Sequence, residues 1–97
     1  MKAVRRLEIV VDAPYCNEVT ELLARHGLEG WTVLRGASGR GERGHRYGDE
    51  ITGVSNNNVI ITTCPPDDLT EIIEELRGVL ERYGGMCLVS DAQWLIH

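Results

Sequence analysis

Residues 58–89, NVIITTCPPDDLTEIIEELRGVLERYGGMCLV, decide the fold. Residues 58–63, NVIITT, are rich in β-branched side chains and read as a strand. Pro65 and Pro66 break it, because proline cannot donate to a ladder. Asp67 and Asp68 then suit the positive end of a helix. Leu69, Ile72, Ile73, Leu76, Leu80 and Tyr83 recur at helical spacing, and Glu71, Glu74, Glu75 and Glu81 fill the solvated face. Gly84-Gly85 stops the helix, and residues 86–89 read as another strand. The stretch is therefore one strand–helix–strand unit.

The first half of the chain repeats the pattern. Residues 4–11 alternate, with Leu7, Ile9 and Val11 pointing one way and Arg6, Glu8 and Val10 the other. Asp12 can cap a helix, and Pro14 fits its first turn. Tyr15, Val19, Leu22, Leu23 and His26 form the helical stripe, which Gly27 ends. Residues 30–34, GWTVL, read as a second strand. The tail, residues 91–97, leaves an added edge strand open. The order β-α-β-loop-β-α-β predicts an α+β, ferredoxin-like βαββαβ fold as one domain over residues 1–97. Both helices should cover one sheet face. The apolar residues of the other face would be exposed in a monomer, which points to self-association through that face.

Between the halves lies a segment that neither period explains. Five glycines stand between Gly36 and Gly48, a density that neither a strand nor a helix accommodates. A loop of about 20 residues in a compact domain is functional or disordered. Gly39-x-Gly41-x-x-Gly44 satisfies the spacing of a dinucleotide-binding loop, but the following His45-Arg46-Tyr47-Gly48-Asp49 does not start a helix. A phosphate-binding P-loop also fails, since Gly36-x-x-x-x-Gly41 is followed by Glu42-Arg43. Backbone amides exposed by glycine and the guanidinium groups of Arg40, Arg43 and Arg46 still make a chemically sufficient anion site. No catalytic base stands beside them, so the segment should bind a phosphate rather than cleave it. The competing reading is a solvated loop whose arginines bind nothing.

Charge narrows the ligand. The chain has 97 residues, 15 acidic and 10 basic, for a net charge of −5. Residues 35–48 hold four arginines and one glutamate, leaving −8 on the rest. A local cationic patch on an acidic chain favours a small anion over a nucleic acid. No apolar run approaches the roughly 18 residues of a membrane span, and the N-terminal stretch is interrupted by Glu8, Asp12 and Pro14, unlike a signal peptide. A soluble, cytoplasmic protein is expected. Cys16, Cys64 and Cys87, odd in number and widely spaced, read as small reduced core residues rather than a disulfide or zinc framework. His26 reads as helix-end packing, and Trp31 and Trp94 as packing or interface residues.

With these residues in place, the chain resembles the PII signal-transduction superfamily, and within it the PII-like proteins of carboxysomes and bicarbonate uptake. The resemblance is carried by Gly30-Trp31-Thr32-Val33, by Gly39-Arg40-Gly41-Glu42-Arg43-Gly44-His45-Arg46, and by residues 83–90, YGGMCLVS. It implies a non-enzymatic homotrimer with an adenine nucleotide, ADP or AMP foremost with ATP and cyclic AMP also in range, in each cleft between subunits. Bicarbonate is implied as a second ligand. Arg40, Arg43 and Arg46 would meet the phosphates. Gly39, Gly41, Gly84, Gly85 and Met86 would line the site, and Thr32 would lie near the adenine. The base of the long loop would form one wall, and Gly84-Gly85 of the adjoining subunit another. Residues 37–55 would act as the signalling loop toward a bicarbonate transporter or a carboxysome-related protein. Arg40 stands where a lysine is common in this group. Two other classes stay open on the residues alone: a small ferredoxin-like phosphohydrolase using the same loop, and a metal-binding trimer using Cys16, Cys64, Cys87 or His45.

Overall fold

The computed structural model of the chain describes residues 1–39 and 56–97. The element order is β1 (Lys2–Asp12), α1 (Cys16–Arg25), β2 (Trp31–Ala37), β3 (Asn57–Cys64), α2 (Leu69–Tyr83) and β4 (Met86–Trp94). Short 3-10 turns, Ala13–Tyr15 and Pro66–Asp68, lead into the two helices. The strands form one antiparallel sheet in the order β2-β3-β1-β4. This is the predicted split βαβ arrangement.

The period-2 pattern of β1 sorts the two faces. Leu7, Ile9 and Val11 are fully buried. They pack in one cluster with Val19, Leu22 and Leu23 of α1, Ile60 of β3, and Ile72 and Leu76 of α2. Removing such a side chain from water stabilises the fold by about 1.5–3 kcal/mol. Cys16 and Cys64 belong to the same cluster as buried thiols, in line with their reading as core residues, and Cys87 packs against it.

Helix α1 ends as its sequence requires. Gly27 adopts φ +84°. Its N–H donates to the Ala24 carbonyl, and the Leu28 N–H donates to the Leu23 carbonyl. These two bonds are the Schellman arrangement, and buried Leu28 supplies its apolar contact. The entry differs from expectation. Pro14 lies in a 3-10 turn rather than in the helix, and Asp12 makes no capping hydrogen bond there.

Two strands outrun their sequence signals. β2 continues to Ala37 through Gly36. The register slips between Leu34, opposite Val59, and Ala37, opposite Asn57, so one extra residue is accommodated. Gly36 at φ +71° makes that bulge possible. The glycine read as a loop residue is thus a bulge inside a strand. β4 runs on to Trp94, paired with Lys2. The first part of the 91–97 tail therefore extends β4 and does not form a separate strand. Its length follows from pairing with the long β1, which residues 90–94 do not signal by themselves.

The face away from the helices mixes exposed apolar residues with polar ones, Arg6 pairing with Glu8 on it at 3.1 Å. Cross-strand partners share a face. Thr32, Ile61, Glu8 and Leu88 form one row across the sheet, and Leu34, Val59, Val10 and Met86 form the next. Leu34, Leu88 and Trp94 are each about half exposed, at 52%, 54% and 51%. Large apolar side chains exposed together on one face of a small chain suit a contact face.

Candidate functional site

Thr32 sits on β2, an edge strand. The segment in front of it is anchored by the Thr62 hydroxyl, which donates to the Gly30 carbonyl at 2.6 Å. Trp31 and Thr32 therefore enter the sheet at a fixed height. They line a groove of about 700 Å³, together with Ile61, Thr63, Pro65 and Trp94. The sequence marks Thr32 but presents Trp31 and Trp94 only as packing residues. The signal that they share a groove is long-range, since it depends on β4 reaching Trp94.

Gly84, Gly85 and Met86 lie at the opposite edge. Gly84 and Gly85 adopt φ +84° and +121°. The Gly84 N–H closes α2 by donating to the Leu80 carbonyl at 2.8 Å. A β-carbon on Gly85 would stand 2.6 Å from the Val10 carbonyl oxygen. Gly85 is therefore required by its approach to β1 as well as by its backbone angle. Met86 opens β4, opposite Val10, and is 44% exposed.

The sheet order sets the separation of these two groups. From β2 to β4 there are three interstrand steps. At about 4.8 Å each, with one two-residue row of offset, Thr32 and Met86 of one chain are roughly 15 Å apart. Among the described residues, nothing lies within 4 Å of a β-carbon placed on Gly39, just beyond β2. Arg40, Gly41, Arg43 and Arg46, with His45, lie outside the described residues.

The loop base and the glycine turn share one end of the sheet. Ala37 pairs with Asn57, and Asn57 with Asp12. The Ala13 N–H donates to the Asn56 carbonyl at 2.9 Å. Two residues on, Tyr15 stacks on Tyr83 with ring centroids 4.1 Å apart and planes 16° apart. In the sequence Tyr15 stands out only as a member of the helix stripe. Its partner lies at the far end of the other helix, which periodicity does not report.

The electrostatics away from this end are structural. Glu75 is not simply part of a solvated face: it takes the Arg25 guanidinium on one carboxylate oxygen and His26 Nε2, at 2.8 Å, on the other. The bonds from Arg25 first and His26 second hold the Glu75 carboxyl below its usual range. His26 thus packs at the end of α1, as the sequence reading has it, and ties that end to α2. Burial pushes the Cys87 thiol up to about 11. Burial first, and then nearby Asp68, raise the Cys64 thiol. Among the described residues, no three His, Cys, Asp or Glu side chains converge as a metal site. No described helix is long and apolar enough to cross a membrane.

A four-stranded sheet in 4-1-3-2 order, two helices on one face and a diglycine turn after α2 define a split βαβ, α+β fold. Residues 4–95 match the family model of the nitrogen regulatory protein P-II, and the chain belongs to that family. Proteins of this family are regulatory and trimeric. CPII, a nitrogen regulatory PII-like protein from Thiomonas intermedia K12, solved with ADP, AMP and bicarbonate, superposes with a TM-score of 0.83 at 24% identity. That match covers 98% of this chain and 96% of CPII. A second structure of CPII, bound to ADP and bicarbonate, aligns at 26% identity and TM-score 0.80 over 95% of this chain and 88% of that one. A PII-like signalling protein from Thermus thermophilus matches at 21% identity and TM-score 0.76, covering 97% of this chain and 91% of that one. No curated protein matches the chain.

Proposed function

We propose that the protein is a cytoplasmic, trimeric, non-enzymatic sensor that binds an adenine nucleotide, ADP or AMP, in the groove between neighbouring copies. One observation carries this reading. Thr32 and the Gly84–Gly85–Met86 segment occupy opposite edges of one sheet, roughly 15 Å apart. A ligand touched by both at close range needs the β2 edge of one copy beside the β4 edge of the next. A closed ring of copies provides that contact at every interface. The exposed apolar rows on the open face would be covered by the same assembly.

In this reading the Trp31–Thr32 groove takes the adenine. Arg40, Arg43 and Arg46, with the amides of Gly39 and Gly41, take the phosphates with the Gly84–Gly85 turn. Charge-assisted bonds from guanidinium groups suit a phosphate and leave it intact. Bicarbonate is the proposed second ligand, supported by its presence with ADP and AMP in CPII. Residues 37–55 carry the signal to a partner in inorganic-carbon uptake or carbon fixation, such as a bicarbonate transporter or a carboxysome-related protein.

The test is calorimetric titration of the purified protein with ADP, AMP, cyclic AMP and ATP, with and without bicarbonate, alongside light scattering. The reading requires a trimer with saturable nucleotide binding. A monomer, or a trimer that binds none of the four, overturns it.

A further inference from the structure

The Gly84–Gly85 turn has no side chains with which to hold its own position. Both residues have positive φ, a conformation glycine adopts without steric cost. Its C-terminal side is fixed by Met86 pairing with Val10. On its N-terminal side stands Tyr83, the last residue of α2. The Tyr83 ring is stacked on Tyr15, with centroids 4.1 Å apart. Tyr15 closes the 3-10 turn that begins at Ala13, and the Ala13 N–H holds the Asn56 carbonyl at the loop base. The stack therefore joins the diglycine turn to the loop base through the short backbone segment 13–15.

We propose that the Tyr15–Tyr83 stack is a positioning element that sets the Gly85 amide against the phosphates of the bound nucleotide, the Gly84 N–H being held by the Leu80 carbonyl. This rests on the nucleotide reading above. Neither tyrosine is assigned a contact with the ligand. Each acts through the turn, so the stack should matter to phosphate affinity and not to adenine affinity.

The experiment is calorimetric titration of wild type, Tyr15→Phe and Tyr15→Leu with ADP and, separately, with adenosine. Phenylalanine keeps the stack and should bind both ligands as wild type does. Tyr15→Leu should lose about three- to tenfold in ADP affinity, the range set by an aromatic pair, with adenosine affinity unchanged. Tyr83→Leu removes the stack from its other side and should give the same split. Unchanged ADP affinity in either leucine variant overturns the proposal, as does an equal loss for ADP and adenosine. If neither leucine variant folds, the stack is a folding element and the positioning role is rejected. Failure of wild type to bind ADP or adenosine would instead reject the nucleotide reading itself.

Discussion

Gly85 is pressed against Val10: a β-carbon at position 85 would stand 2.6 Å from the Val10 carbonyl oxygen and 3.0 Å from Leu80 Cδ2. Its φ of +121° is also one that other residues avoid. Gly85→Ala must therefore shift backbone as well as side chain. The expected destabilisation is on the order of 2–3 kcal/mol. Urea unfolding of the variant measures it, and a midpoint equal to wild type would show that the turn relaxes freely.

The open face gives a prediction about assembly rather than folding. Leu88 is 54% exposed in the single chain and lies in the row of Thr32, Ile61 and Glu8. Leu88→Glu removes little burial from one subunit but places a charge in the proposed contact. Light scattering should find monomers with native circular dichroism. A trimer of unchanged stability would move the interface elsewhere.

Arg43→Ala and Arg46→Ala should each weaken ADP binding by about 1.5–3 kcal/mol, the contribution of a charged hydrogen bond. Neither should lower the melting temperature of the ligand-free protein by more than a surface substitution does. Calorimetry and thermal melts on the same samples separate the two effects. Wild-type affinity in both variants would remove the arginines from the phosphate site.

The helix clamp predicts a pH dependence. The Glu75 carboxyl is held below its usual range by Arg25 and His26. A carboxylate depressed in the folded state adds stability above its unfolded pKa and loses it as pH falls through the folded value. The α1–α2 contact should thus weaken on acidification below the ordinary carboxylate range. Glu75→Gln should flatten that part of the stability curve, measured by urea unfolding between neutral and acid pH. An unchanged curve would mean that the clamp contributes nothing to folding.

Cys87 should be chemically quiet. With its thiol pushed up to about 11 by burial, the thiolate is a minute fraction at neutral pH. Reaction with a thiol reagent should be slow in the folded protein and fast in denaturant, read by mass spectrometry of the labelled peptide. Rapid labelling under native conditions would contradict its packing against the core.

Much of the architecture is legible in the sequence because it depends on local pattern. The stripe from Leu69 to Tyr83, the alternation of Leu7, Ile9 and Val11, and the stops at Gly27 and Gly84 each encode their element over a few residues. The extensions of β2 and β4 are not legible. Gly36 looks like a strand breaker until its bulge is placed opposite Asn57 and Val59, and Ser90 to Trp94 become a strand only by pairing with β1. Thr32, Gly84 and Gly85 are marked as site residues only by the resemblance to the PII superfamily. The groove shared by Trp31 and Trp94, the stack of Tyr15 on Tyr83 and the clamp on Glu75 each join residues far apart in the chain. No periodicity carries that information.

The placement of Thr32 and the diglycine turn at opposite margins of the sheet has a genetic corollary. Under the proposed function, a chain crippled at Thr32 still offers a sound turn, and a chain crippled at the turn still offers a sound Thr32. Co-expressed, two such defective alleles would complement each other, because every mixed ring contains a junction where the intact halves meet.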